Sequence, residues 1–215
     1  MPNELWTPTV GTKGLDRSAT IADAAPELFA QGFRFAIRTL GLPGGSVGTL
    51  TQEEIAAIHA AGIALGASQV IRSSGFTDAQ GTADGAFAAS EAKRLGFPTA
   101  SVLWFDLEGT YGGEAAQSLI TFINNWAAAV VGAGYLAGLY NGPEHVLNGF
   151  QISGLPQFHA FWQAGALVPQ VARGYQIYQL LPANTVITGV NGRVNIDVDV
   201  VQTDFKNGAP SFWAP

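Results

Sequence analysis

Short apolar runs alternate with stretches of helical periodicity along most of this chain, and that alternation sets the expected architecture. Gly14-Leu15-Asp16-Arg17-Ser18 reads as a short first strand, and Asp23 to Gln31 as a helix capped by Asp23 or Thr20. Arg34 to Leu40 is a second strand. Thr51, with Glu54 three residues on, has the spacing of a capping box and opens a helix that stops at Gly62. Ile63 to Ile71 is a third strand, and Asp78 to Leu95 a helix ended by Gly96 and Pro98. Ser101 to Leu107 is almost continuously apolar, as a parallel strand buried on both faces should be. Glu114 to Val131 reads as a helix and Tyr135 to Tyr140 as a fifth strand. Three further strands are expected at His159 to Gln163, Tyr175 to Leu180 and Asn195 to Gln202, joined by short loop-like segments. Residues 203–215 read as an irregular tail, with Trp213 tucked back or loose.

Regular β-then-α alternation argues for a parallel sheet. The expected fold class is therefore α/β: a TIM-like (β/α) barrel of eight strands, its helices reduced in the second half. An open doubly wound sheet is the alternative. No linker, internal repeat or low-complexity tract divides the chain, so residues 1–215 are expected to form a single domain with its core at about 12–202.

Composition narrows the function classes. Hydrophobic residues make up 47% of the chain and charged residues only 12%, which argues against long disordered tails. The net charge is −6 with no basic stripe, so nucleic acid is not an expected partner. The absence of cysteine excludes disulfides, thiol catalysis and thiolate metal sites. No apolar leader segment is visible in the N-terminal sequence, and no run of 18 or more apolar residues suggests a membrane span. Localisation stays open, and a monomer is expected. His59, His145 and His159 have no metal-ligand spacing, and Asp197, Asp199 and Asp204 lack the glycine and glutamate of a calcium loop. Neither a metal nor a cofactor is expected. The glycine-rich Gly41 to Gly48 segment is not followed by Gly-Lys-Ser/Thr and reads as a loop rather than a phosphate cradle. No Gly-x-Ser-x-Gly elbow suggests a serine hydrolase.

The best chemical signal is Asp106 and Glu108, two residues apart at the end of the fourth strand. Residues i and i+2 of a strand share a face, so their backbones lie roughly 6.6 Å apart on one side. Barrel enzymes carry their sites at the C-terminal ends of strands. Two carboxyls so close do not both ionise readily, and one then holds a proton for general-acid work, as glycoside hydrolysis requires. Other polar and aromatic residues recur at strand ends: Asp16, Arg38, Gln69, Tyr140 with Asn141, Trp162, Gln179, and Asp197 with Asp199. Together they are expected to ring one mouth. Amides and aromatic faces of this kind suit a polysaccharide.

Gly14-Leu15-Asp16, Phe105-Asp106-Leu107-Glu108, Gly138-Leu139-Tyr140-Asn141-Gly142, Trp162-Gln163-Ala164, Tyr178-Gln179 and Asn195-Ile196-Asp197-Val198-Asp199 occur in that order. In this the chain resembles the DUF1906 family of glycoside-hydrolase-like, Rv2525c-type domains, itself similar to family 25 lysozyme-type muramidases, over about residues 12–202. The second strand departs by ending Arg38-Thr39-Leu40-Gly41 where family 25 has Thr-Glu-Gly, and the third by carrying Ser68-Gln69-Val70. The resemblance implies a glycosidase of bacterial cell-wall polysaccharide such as peptidoglycan. Glu108 would be the proton donor and Asp106 its carboxylate partner. Asp16 and Asp197 or Asp199 would shape the pocket, with Tyr140 and Trp162 holding sugar rings. The alternative is a non-catalytic carbohydrate-binding or cell-envelope domain on the same barrel. Burial discriminates between them: a catalytic Glu108 sits in a cleft and holds its proton, whereas a vestigial one is neutralised by a cation such as Arg38.

Overall fold

The computed structural model describes residues 4–45, 49–110, 115–189 and 192–215. Residues 46–48 of the glycine-rich loop and Glu114, the expected start of the fourth helix, lie outside them. In chain order the elements are β1 (Leu5–Trp6), β2 (Lys13–Arg17), a 3-10 turn (Ala22–Ala24), α1 (Ala25–Ala30), β3 (Phe35–Thr39), α2 (Gln52–Ala60), β4 (Ala64–Val70), α3 (Asp78–Leu95) and β5 (Val102–Leu107). There follow α4 (Ala116–Gly132), β6 (Leu136–Asn141), α5 (Gly149–Ser153), β7 (Phe158–Ala164), β8 (Ile177–Gln179), β9 (Thr185–Gly189), β10 (Gly192–Val201) and β11 (Phe212–Trp213). The expected α/β barrel is present: β2 to β8 and β10 close into an eight-stranded ring, with β4 paired to both β3 and β5.

Not every strand is parallel. From β2 to β8 each neighbour pair runs parallel, but β10 is antiparallel to both β8 and β2. The connection explains this. No crossover helix follows β8; the chain instead rises into β9, turns, and descends as β10, pairing first with β9 and then with the barrel. A strand that returns directly must run antiparallel. The β9–β10 hairpin thus stands at the mouth formed by the C-terminal ends of the parallel strands.

The pleat separates two cores. Leu103, Phe105 and Leu107 of β5 face outward and pack with Leu119, Phe122, Ile123 and Trp126 of α4. Val102 and Trp104 face the lumen, among Phe35, Ile37, Tyr140, Ala160 and Trp162. Helices α3 and α4 approach closely because Gly85 lacks a side chain; a Cβ there would lie 2.4 Å from the Trp126 carbonyl oxygen. No described helix is long and apolar enough to cross a membrane.

Three local expectations are corrected. Thr51 caps α2 by accepting from the Glu54 N–H at 3.2 Å, but the Glu54 carboxylate does not complete the box and turns to Arg38 instead. Neither Asp23 nor Thr20 caps α1; Thr20 accepts from Ala22 N at the start of the 3-10 turn. The C-terminal tail is not irregular throughout. Trp213 pairs with Leu65 of β4, β1 pairs with β11, and the fully buried Phe212 stacks on Phe35 with ring centroids 4.4 Å apart. The chain's end therefore seals the barrel at the pole opposite the mouth.

Candidate active site

The lumen-facing positions at the mouth supply the site. Asp106 is the last inward residue of β5, and Glu108 follows one pleat later. Asp16 of β2 and Asp197 of β10 are directly opposed in the antiparallel register. These four acids line a cleft of about 390 Å³ together with Tyr140 of β6, Trp162 of β7 and Gln179 of β8. Gly142 makes room for them: a Cβ there would lie 2.5 Å from Tyr140 Cε1, 2.8 Å from Glu108 Cβ and 3.0 Å from Glu108 Oε2.

The floor is tightly bonded. Tyr140 and Trp162 are almost fully buried, their rings 4.3 Å apart, and Trp162 packs edge-on against Trp104. The Tyr140 hydroxyl donates to Gln179 Oε1 at 2.8 Å. Gln179 Nε2 donates to Asp16 Oδ2 at 2.8 Å and to Asp197 Oδ2 at 3.4 Å. Asp197 Oδ1 also accepts from the backbone N–H of Asn184 in the hairpin. Trp162 Nε1 donates to Asp199 Oδ1 at 2.9 Å beneath the cleft. Tyr140 and Trp162 thus form a floor rather than an exposed stacking platform.

Burial and mutual repulsion hold protons in this cleft. Asp16 is pushed up to about 8, chiefly by burial, against the opposing pull of the Gln179 amide. Asp106 is raised well above the ordinary carboxylate range by burial and then by the charges of Glu108 and Asp16, and its Oδ1 has no hydrogen-bond partner. Glu108 is raised by burial, by Asp197 and by Glu144. Asp199 is raised well above the usual range by burial and by Asp16, against the pull of the Trp162 N–H, and its Oδ2 has no hydrogen-bond partner. The charges acting on these carboxyls are those of other acids. Arg17, at the rim, gives its guanidinium to the Thr20 carbonyl at 2.6 Å.

Four of the expected mouth residues do not line the cleft. Arg38, Gln69 and Asn141 have outward parity and lie between barrel and helices. Arg38 is fully buried and forked onto Glu54, with Nε–Oε1 2.7 Å and Nη2–Oε2 3.1 Å. Gln69 bonds the Gly41 carbonyl and accepts from Trp126 Nε1 at 2.6 Å. Asn141 bonds Gln163, Pro169 O and His145. Asp199 is inward but lies below the floor with no exposed surface. Conversely, the cleft is also lined by Thr39, Ser68, Asn184 and Asn195. Thr39 and Ser68 are the immediate neighbours of Arg38 and Gln69, and a strand apolar on both faces gives no parity signal. Asn184 reaches the cleft from the β8–β9 connection, which carries no strand or motif signal, whereas Asn195 lies in the expected last strand two residues before Asp197 and so shares its face. Glu144, whose charge acts on Glu108, follows the same Asn141-Gly142 turn. Among the described residues no group of His, Asp and Glu converges as a metal site would.

A family model described as Rv2525c-like, glycoside hydrolase-like domain matches residues 27–201. Among solved structures, an uncharacterized B. stearothermophilus protein is similar at TM-score 0.68 and 19% identity, covering 89% of this chain and 96% of that one. A family 25 glycosyl hydrolase from Bacillus anthracis is similar at TM-score 0.60 and 14% identity, covering 92% and 91%. A bacterial lysozyme from Streptomyces coelicolor is similar at TM-score 0.59 and 15% identity, covering 93% and 95%. At these identities the likeness is one of fold. A comparison with curated proteins found no match.

Proposed function

Since the chain belongs to the Rv2525c-like, glycoside hydrolase-like domain family, we propose that it cleaves glycosidic bonds of a bacterial cell-wall polysaccharide, with Glu108 as proton donor and Asp106 as its partner. The observation that carries this reading is the cluster of Asp16, Asp106, Glu108 and Asp197 in one open cleft, with Arg38, the cation that could have neutralised it, committed to Glu54 behind the barrel wall.

Glu108 stands at the mouth, is partly exposed, and keeps its proton above the ordinary range, which suits a general acid on a leaving oxygen. Asp106 lies deeper. A carboxyl whose anion is disfavoured by burial gains most when positive charge develops beside it, as in an oxocarbenium-like transition state. The same group can accept from a substrate amide. Asp16 and Asp197 shape the electrostatics, and Thr39, Ser68, Asn184 and Asn195 offer hydroxyls and amides to sugar hydroxyls. The fold likeness to a bacterial lysozyme supports a peptidoglycan-type substrate.

The test is release of reducing ends from purified peptidoglycan and a panel of bacterial polysaccharides by wild type and Glu108→Gln. We expect wild-type turnover and a loss of about 10²–10⁴-fold in the variant. No wild-type turnover on any glycan, with sugar binding intact, would replace this reading by that of a carbohydrate-binding domain.

A further inference from the structure

Gln179 was expected to touch substrate, but its side chain is nearly buried and its hydrogen-bonding capacity is already used inside the protein. Its oxygen accepts from Tyr140, and its two amide hydrogens go to carboxyls on two other strands, Asp16 of β2 and Asp197 of β10. The two carboxyls fix the amide's orientation, because the flipped amide would set an oxygen against them, and the Tyr140 hydroxyl, able to donate or accept, then donates to the amide oxygen. No described hydrogen bond brings a donor to Glu108, and Asp106 Oδ1 has none.

We propose that Gln179 is a positioning residue that holds one shared negative charge on the Asp16–Asp197 pair and thereby leaves the proton with Glu108 on the opposite side of the cleft. This rests on the glycosidase reading for its consequence in turnover, but not for the charge arrangement itself. The titratable groups around Gln179 come from four strands. They are Tyr140 on β6, Asp16 on β2, Asp197 and Asp199 on β10, and Asp106 and Glu108 at the end of β5. Arg17 and Glu144 stand further out at the rim. A donor shared by two carboxyls favours their ionised forms, and the Gln179 contact indeed opposes the burial that raises Asp16. Charge retained there then repels charge on Glu108, for which Asp197 is the strongest charged neighbour.

The experiment titrates side-chain carboxyl carbons by NMR in wild type, Gln179→Leu and Tyr140→Phe, and measures the pH profile of reducing-end release in parallel. In Gln179→Leu the Asp16 titration should move up by about one to two pH units, the equivalent of one hydrogen bond to a charged group. With less charge opposite it Glu108 gives up its proton more readily, so the basic limb of kcat/KM should move down, and turnover at pH 7 should fall about tenfold while KM changes less. Tyr140→Phe removes only the hydroxyl that anchors the amide oxygen. It should shift Asp16 in the same direction by less, and it keeps the test available if Gln179→Leu does not fold. An Asp16 titration unchanged in a folded variant overturns the proposal, as does lost activity with an unmoved pH profile, which would mark a merely structural role. A wild type without turnover would defeat the glycosidase reading alone, since the carboxyl titrations still decide the role of Gln179.

Discussion

Arg38 gives the sharpest stability prediction, because the fold turned it from an expected site residue into half of a buried ion pair. Its guanidinium has no exposed surface and meets Glu54 through two contacts, 2.7 and 3.1 Å long, while also donating to the Arg17 carbonyl. Glu54 in turn accepts from the Ile21 N–H at 3.0 Å, so the pair ties β3 to α2 and to the segment after β2. Arg38→Met keeps much of the volume but leaves the Glu54 carboxylate buried without its cation. Breaking such a pair from one side costs about 3–5 kcal/mol, and for a chain of this length that is a fall in Tm of about 6–20 °C. Arg38→Met/Glu54→Leu removes both charges. It leaves the Ile21 N–H without its acceptor, a cost of about 1–3 kcal/mol, and is therefore expected to be more stable than the single variant. Urea unfolding of wild type, single and double variants reads these differences directly. A single variant within about 1 kcal/mol of wild type, or a double variant less stable than the single, would refute the reasoning. If Arg38→Met were stable yet lost hydrolysis per folded molecule, Arg38 would belong to the site after all.

Gly142→Ala places a methyl against Tyr140 and Glu108, and because Tyr140 is anchored by Gln179, Glu108 must give way. We expect about 1–3 kcal/mol of destabilisation and about a 10²-fold loss in kcat/KM, and unchanged kinetics would show that the Glu108 position is not critical. The cleft acids also make stability depend on pH. Asp16, Asp106, Glu108 and Asp199 all hold protons more tightly folded than unfolded, so their contribution is complete below about pH 4 and is lost as pH rises toward 8, the value to which Asp16 is pushed. Asp204 is shifted the other way, lowered by the Gly208 and Lys206 N–H groups and by Arg173, so stability falls again on strong acidification. Thermal unfolding should therefore show Tm rising as pH is lowered from 8 to 5, with a smaller rise in Asp16→Asn. A flat profile in both would contradict the burial of these groups.

The sequence by itself determined the alternation of strands and helices, and hence a largely parallel α/β sheet; that it closes as a barrel rather than staying open was decided by β10 pairing with both β2 and β8. Strands as apolar on both faces as Val102 to Leu107 must be covered on both sides. It also determined that Asp106 and Glu108 share a face, because the two-residue repeat of a strand is independent of context. It could not determine which face of each strand looks inward. In β3 and β4 both faces are apolar, so Arg38 and Gln69 looked as suitable for the mouth as Thr39 and Ser68, which occupy it. That parity is set when neighbouring strands lock in register, as is the direction of β10, which follows from a hairpin without a clear pattern of its own. The convergence of Asp16 and Asp197 on one glutamine, across 163 and 18 residues of chain, is likewise a product of barrel closure. Proton affinity follows the same division. The residue types are written in the chain, but the burial and repulsion that move them arise only where the strands bring the carboxyls together.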